Sequence, residues 1–187
     1  LPTDVKLLFS FGRKYFDIID NLNKASDNLS AEMTLLALAE KFYEKPASAK
    51  NGISVIEKLI ELIGLNPGDY RIVDGSGVSH YNLVSAELLV TLLKYFYREK
   101  PELYSILYNS FGGVDGTLEN RMKNTSAEKN VHAKTGTLTG VSSLSGYLTT
   151  KNSHLIAFSI IMQNYVGSSL KAKELQDEIC RILSELK

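Results

Sequence analysis

The order of hydrophobic periods in the sequence predicts an α+β domain. Apolar residues recur every three to four positions through the first part of the chain, three short β-branched or aromatic runs follow, and helical spacing returns in the tail. Helices therefore come first, then an antiparallel meander, then a closing helix. No internal repeat or low-complexity linker interrupts the 187 residues, so residues 1–187 read as one domain. Its 24–110 part is mainly helical, and its 130–187 part is a three-stranded meander plus a C-terminal helix.

Tyr15 to Leu22 is a short apolar-rich segment that leads into Lys24-Ala25-Ser26-Asp27-Asn28. From Leu29 to Glu44, the residues Leu29, Met33, Leu36, Ala39 and Tyr43 keep the helical period, and Pro46 is expected to end that helix. Asn51 is placed to cap a second helix, with Val55, Ile56, Leu59, Ile60 and Ile63 as its buried stripe and Gly64 as its stop. Ser85 is expected to cap a helix carrying Leu88, Leu89, Leu92, Leu93 and Phe96, and Pro101 to open another at its favoured first position. Phe111 to Gly116 is glycine-rich and reads as a loop.

The period then changes. Val131–Thr137, Ser142–Thr149 and Leu155–Met162 read as three strands, joined by turns at Leu138–Val141 and Thr150–Ser153. In the tail from Ser168 to Lys187, Ala172, Leu175, Ile179, Ile182 and Leu186 share one helical face.

Composition narrows the partners. Lys+Arg and Asp+Glu both number 21, so no basic excess exists to neutralise phosphates, and no nucleic-acid partner is expected. The single cysteine, Cys180, has no internal disulfide partner and sits in an apolar-periodic stretch, which predicts a buried packing residue. His80, His132 and His154 lack metal-ligand spacing, so no metal and no cofactor are expected.

Two tripeptides carry chemistry. Ser26-Asp27-Asn28 stands at the start of a strong helix, and Lys134-Thr135-Gly136 lies inside a predicted strand followed by Thr137. Each alone is weak: the first is also a good helix cap, the second also a good turn. Together, in this order and context, they are two of the three short motifs shared by penicillin-binding proteins and class A β-lactamases. Amide hydrolysis through an acyl-enzyme needs an activated hydroxyl, a proton path to the leaving amine and donors for the oxyanion. A substrate ending in a carboxylate needs a cation and hydroxyls. Lys134 supplies a cation, and Thr135 and Thr137 supply hydroxyls. Gly136 is expected to keep the cleft unobstructed, Ser26 to relay a proton and Asn28 to hold a substrate amide.

Four separated blocks strengthen this reading. Ala25 to Glu32, Val73 to Ser79, Gly113 to Leu118 and His132 to Val141 together resemble the S13 peptidases, the low-molecular-mass class C penicillin-binding proteins of the D-alanyl-D-alanine carboxypeptidase and endopeptidase type. The resemblance implies a β-lactamase/transpeptidase-like fold with a helical subdomain and a five-stranded antiparallel sheet, three strands of it in this chain. It implies a serine-type enzyme acting on peptidoglycan stem peptides ending in D-Ala-D-Ala, acylated by penicillin and other β-lactams, in the periplasm or at the outer cell surface. By the same resemblance Ser26 shuttles the proton, Asn28 binds the substrate amide and Lys134 organises the site electrostatically. Thr135 and Thr137 bind the carboxylate, and the Thr137 N–H joins the oxyanion hole.

The family's nucleophile lies in a serine-x-x-lysine upstream of the Ser-Asp-Asn. Here only Ser10 precedes Ser26, and Arg13 stands three residues after it. Ser126, Ser168 and Ser184 each precede a lysine by three, but all follow the Ser-Asp-Asn, which is the wrong order. The expectation is therefore a C-terminal part whose partner is the missing N-terminal portion of the same protein, and which is inactive alone. His132, alternating onto the side of Lys134, reads as structural rather than as a general base.

Two other readings compete. A class A β-lactamase needs a deacylating glutamate in a Glu-x-x-Leu-Asn pattern. Glu61 to Asn66 has one residue too many, and Glu61 fits the polar face of a helix. A non-catalytic cell-wall-peptide binder needs no proton-relay serine, which argues for the enzyme. The glycines of Asp74-Gly75-Ser76-Gly77 lack a following Gly-Lys-Ser/Thr, so they read as a structural turn and not as a phosphate loop.

Overall fold

Six helices and one sheet follow the predicted order in the computed structural model, which describes residues 9–43 and 45–187. Helix α1 (Tyr15–Ala25) is longer than the apolar segment suggested and runs up to Ser26, which closes it in the left-handed conformation (φ 55°) with its N–H on the Leu22 carbonyl. Asp27 then caps α2 (Asn28–Phe42). Its carboxylate accepts from the Leu29 N–H at 3.1 Å and from the Ser30 hydroxyl, and these bonds hold it below the usual carboxylate range. The Ser-Asp-Asn tripeptide is thus a hinge between two helices. The predicted end of α2 at Glu44 lies outside the described residues.

Helix α3 (Ala49–Leu62) is capped by Ser48, not by Asn51: the Ser48 hydroxyl accepts the Asn51 N–H at 3.2 Å. A capping side chain serves the amide three residues on, so the cap lies one turn before the residue that benefits. Ile60 is buried in α3 and the other predicted apolar positions are partly so. Gly64 ends the helix at φ +85°, where only glycine is unstrained. Ser85 caps α4 (Ala86–Glu99) and Pro101 opens α5 (Pro101–Ser110), as the sequence predicts.

The strands β1 (His132–Leu138), β2 (Val141–Thr149) and β3 (Leu155–Gln163) pair antiparallel in the order β1-β2-β3. Gly140, at φ +70°, makes the two-residue β1–β2 turn possible. Both faces of the sheet are covered. On one, Ala133, Leu144, Leu148 and Phe158 pack with Cys180 of α6 (Leu170–Ser184) and with Leu118, Met122 and Val131 of the preceding loop. On the other, Tyr147 packs with Leu93 of α4 and Phe111, and its buried hydroxyl donates to the Leu93 carbonyl at 2.8 Å. The Cys180 thiol is fully buried, and burial pushes its pKa up to about 12, so it packs rather than reacts.

The predicted buried face of α6 is rotated. Leu175 and Ile182 are exposed, and the buried side chains are Gln176, Cys180 and Ser184. Polar atoms decide it. Gln176 donates to Ser142 of β2 at 3.1 Å, and Arg121 grips the helix through Asp177 (2.6 Å) and the Lys173 carbonyl (2.8 Å). A half-buried ion pair that also closes a backbone carbonyl outweighs one turn of apolar periodicity.

The Asp74–Gly77 segment is a structural turn held by carboxylates. Glu32 of α2 accepts the N–H groups of Gly75 (3.2 Å) and Ser76 (2.9 Å), while Asp74 accepts those of Gly77 and Ser79. These donors are occupied, so no phosphate cradle exists. Hydrogen bonds from Ser76 and Gly75 lower the Glu32 pKa. A lowered carboxylate pKa adds stability that is present above the ordinary glutamate value of 4.5 and is lost as pH falls through the folded value. Glu32→Ala is expected to destabilise the chain by roughly 1–3 kcal/mol in urea unfolding at pH 7, with a smaller difference from wild type below about pH 4. An equal difference at both pH values would refute the assignment.

Candidate active site

Strand β1 is an edge strand, and that decides which of its groups a ligand can meet. On an antiparallel edge, alternate residues present their N–H and C=O outward. Ala133 does so, because its N–H bonds the Gly112 carbonyl at 3.0 Å. By the same alternation Thr135 and Thr137 direct their backbone groups to the open edge, while those of Lys134 and Gly136 pair with β2.

The Lys134 side chain turns toward the helical half. Its ammonium donates to Ser26 Oγ at 2.8 Å and to the Thr135 carbonyl at 2.9 Å. The bond to Ser26 joins residues 108 positions apart and links the two chemical tripeptides directly. Among the described residues no carboxylate pairs with Lys134, and burial pushes its pKa below the usual lysine value. Ser26 must accept from an ammonium that has no lone pair, so its own hydroxyl hydrogen is free to point elsewhere.

The end of α1 is pinned so that this bond can form. Buried Asn23 donates to Ser110 of α5 at 2.7 Å. Lys24 pairs with Asp20 and Asp115 at 3.0 Å each, and these bonds raise its pKa. Gly116, at φ +68°, packs on the Lys24 backbone, where a Cβ would crowd its carbonyl at 3.0 Å. Thr117, in a 3-10 turn at Gly116–Leu118, meets Thr135 hydroxyl to hydroxyl at 3.0 Å.

Of the residues singled out from the sequence, Ser26, Lys134 and Thr135 form one bonded chain. Asn28 opens α2 with an exposed side chain, and Thr137 is exposed one strand repeat beyond Thr135. Gly136 lies on the same face of β1 as Lys134. A Cβ there would meet the Ser143 hydroxyl on β2. The sequence reading assigned no role to Asn23, Lys24, Asp115 or Thr117. The available signal was the Gly113–Leu118 block, whose place beside Lys24 only the fold reveals.

The remaining candidates lie away from this chemistry. His132 stacks on Tyr108 (centroids 4.1 Å apart), and burial lowers its pKa, so it is a neutral packing group near pH 7. Ser126 and Ser184 bond each other at 2.6 Å beside α6 and meet no lysine. Glu61 is exposed in the last turn of α3. Among the described residues no three His, Cys, Asp or Glu side chains gather where they could hold a metal.

Residues 11–186 match the model of the D-Ala-D-Ala carboxypeptidase 3 (S13) family. The chain belongs to that family. A D-alanyl-D-alanine carboxypeptidase of Actinomadura sp. (strain R39) is 34% identical over 177 residues, which are 90% of this chain and 32% of that protein. Penicillin binding protein 4 (dacB) from Haemophilus influenzae superposes with a TM-score of 0.81 at 29% identity, over 91% of this chain and 40% of that one. The TLA-3 extended-spectrum beta-lactamase, at 19% identity, has a TM-score of 0.69 over 92% of this chain and 64% of its own. That likeness shows the fold alone: the S13 chain has the β-lactamase/transpeptidase-like architecture. It spans about a third of the length of the curated relatives it matches.

Two substitutions separate structure from chemistry in this S13 site. Gly136→Ala is expected to lose about 1 kcal/mol of stability through the Ser143 contact, and Ser143→Ala in the same chain to restore it. Persistence of the loss in the double variant would refute the Ser143 contact as its cause. Lys134, whose burial disfavours its charge, contributes nothing to stability at neutral pH by its own titration. Between its lowered folded pKa and the unfolded value of 10.5 the unfolded chain binds more protons, so stability rises with pH there. Lys134→Met is therefore expected to unfold in urea at or above the wild-type midpoint at pH 7, and a clear drop would make the lysine structural.

Proposed function

We propose that the protein carrying this chain is a serine-type D-Ala-D-Ala carboxypeptidase and endopeptidase that works on peptidoglycan stem peptides through an acyl-enzyme. The observation that carries the reading is the Lys134 ammonium. It is half-buried, has no carboxylate partner among the described residues, and is held 2.8 Å from Ser26 at an open strand edge. Such a cation favours a ligand that brings its own carboxylate.

The geometry supports the roles that the S13 resemblance implies. A stem peptide lies along the edge of β1, adding a strand through the outward groups of Thr135 and Thr137. Its terminal carboxylate takes charge from Lys134 and hydrogen bonds from the Thr135 and Thr137 hydroxyls, and the Asn28 amide holds a substrate peptide group. The nucleophilic serine comes from a serine-x-x-lysine outside these 187 residues, and its oxygen attacks the carbonyl of the penultimate D-Ala. The Thr137 N–H, directed at the open edge, donates to the oxyanion. As the C–N bond breaks, the Ser26 hydroxyl hydrogen passes to the leaving amine and the proton released by the attacking serine returns to Ser26, with Lys134 donating to the Ser26 oxygen. Water then cleaves the acyl ester. β-Lactams enter by the same route and stop at the ester, and the substrate places the protein in the periplasm or at the outer cell surface. Among the described residues no helix is long and apolar enough to cross a membrane.

Intact-mass analysis of the natural-length gene product after incubation with benzylpenicillin tests the reading. One stable adduct is expected, mapping by peptide analysis to a serine-x-x-lysine outside this sequence, while the 187-residue chain alone stays unmodified. Absence of any adduct on the natural-length product would favour a non-catalytic cell-wall-peptide binder. Rapid turnover without an adduct would favour a β-lactamase.

A further inference from the structure

Resting on that reading of the site, we propose that Thr117 is a positioning residue for carboxylate recognition and acts through Thr135. The residues on either side of it are fully accounted for by structure. Gly116 packs on Lys24 with a positive φ, and Leu118 is buried in the core between the sheet and α6. Neither task requires a hydroxyl at the position between them. Thr117 is exposed, and the polar contact its side chain makes is the one with Thr135 Oγ1 at 3.0 Å.

The valence of that pair is the argument. A hydroxyl carries one hydrogen and two lone pairs. In the arrangement where Thr135 donates to Thr117, Thr135 offers a ligand nothing but lone pairs, which repel a carboxylate. To bind one, Thr135 must turn its hydrogen to the ligand, and its lone pair toward Thr117 then needs a donor. The Thr117 hydroxyl supplies it by reversing its own direction. The pair becomes a short donor chain, Thr117 to Thr135 to carboxylate, in which each bond polarises the next. No proton changes owner, and only two C–O rotors turn.

The backbone around Thr117 is fixed well enough to do this. Gly112 accepts the Ala133 N–H of β1 at 3.0 Å, the Gly113 N–H bonds the Asp115 carbonyl at 3.1 Å, and Asp115 pairs with Lys24 at 3.0 Å. Thr117 is therefore referenced both to the strand that carries Thr135 and to the helix end that carries Ser26. Its position is set by the two elements that a ligand at this edge would touch.

NMR titration of the 15N-labelled 187-residue chain with N-acetyl-D-alanine, and separately with N-acetyl-D-alaninamide, tests the proposal without needing turnover. For the free acid, Thr117→Val is expected to weaken binding about tenfold, and Thr117→Ser to keep it within about twofold of wild type. For the amide, all three chains should give the same weak response. A merely structural threonine would weaken both ligands alike or show no rescue by serine. Either result overturns the proposal, as does unchanged binding in Thr117→Val or a wild-type chain that does not bind the acid. The penicillin adduct on the natural-length product reports independently on the functional reading. An adduct with no Thr117 effect sinks the inference alone, and a Thr117 effect with no adduct sinks the acyl-enzyme alone.

Discussion

An ammonium taken out of water must find lone pairs, and at Lys134 the described residues offer it a serine hydroxyl and a backbone carbonyl instead of a carboxylate. Much of the architecture around the site serves to bring that hydroxyl to that ammonium. Ser26 belongs to the helical half and Lys134 to the sheet, and a single hydrogen bond across the two halves would be a weak tie in water. It is set instead by contacts that are themselves buried or closed: Asn23 on Ser110, Lys24 on Asp115, and Gly116 against the Lys24 backbone. The Ser26 bond then forms between atoms already in place, and little ordering is left for a ligand to bring about.

The same economy explains the conformation of Ser26. A left-handed serine between two helices is locally unfavourable, of order 1 kcal/mol, and glycine would relieve it. Serine persists at φ 55° because the turn aims its hydroxyl across the cleft while the next residue, Asp27, begins α2 with a capped first turn. Helix end, strained turn and helix start occupy three consecutive residues. Asn28 is consequently carried on the first turn of α2, and Glu32, one turn further along, holds the 74–79 turn to the same helix.

What could be read from the sequence was what depends on neighbours along the chain. Periods of 3.6 and 2 located α2, α3, α4, α6 and all three strands, and Pro101 marked α5, because each signal is local. The caps at Ser85 and the proline at 101 were legible for the same reason. Ser48 was passed over for Asn51 although both types cap well, because the hydroxyl serves an amide three residues away and the strength of the motif shows only once the bond is drawn. The rotated face of α6 was not legible. Its decisive partners, Arg121 and Ser142, are more than thirty residues away and polar, and apolar periodicity does not count them. Thr117 and Asp115 were invisible as site residues on the same ground. Nothing about an Asp-Gly-Thr turn announces that it will sit between the end of α1 and the edge of β1.

The proposed chemistry is thereby concentrated where the fold contributes least to its own stability. Lys134 is desolvated with no counter-charge among the described residues, Ser26 is strained, and Asn28, Thr117 and Thr137 are exposed. Each could be exchanged for a residue that folds as well or better. The stabilising interactions lie elsewhere: in the two cores on either face of the sheet, in the Arg121 grip on α6, and in the Glu32 hold on the 74–79 turn. A chain shaped by stability alone would place a carboxylate beside Lys134 and a glycine at position 26. Among the described residues the ammonium at this open strand edge has no carboxylate partner, and a ligand that brings its own carboxylate would supply one.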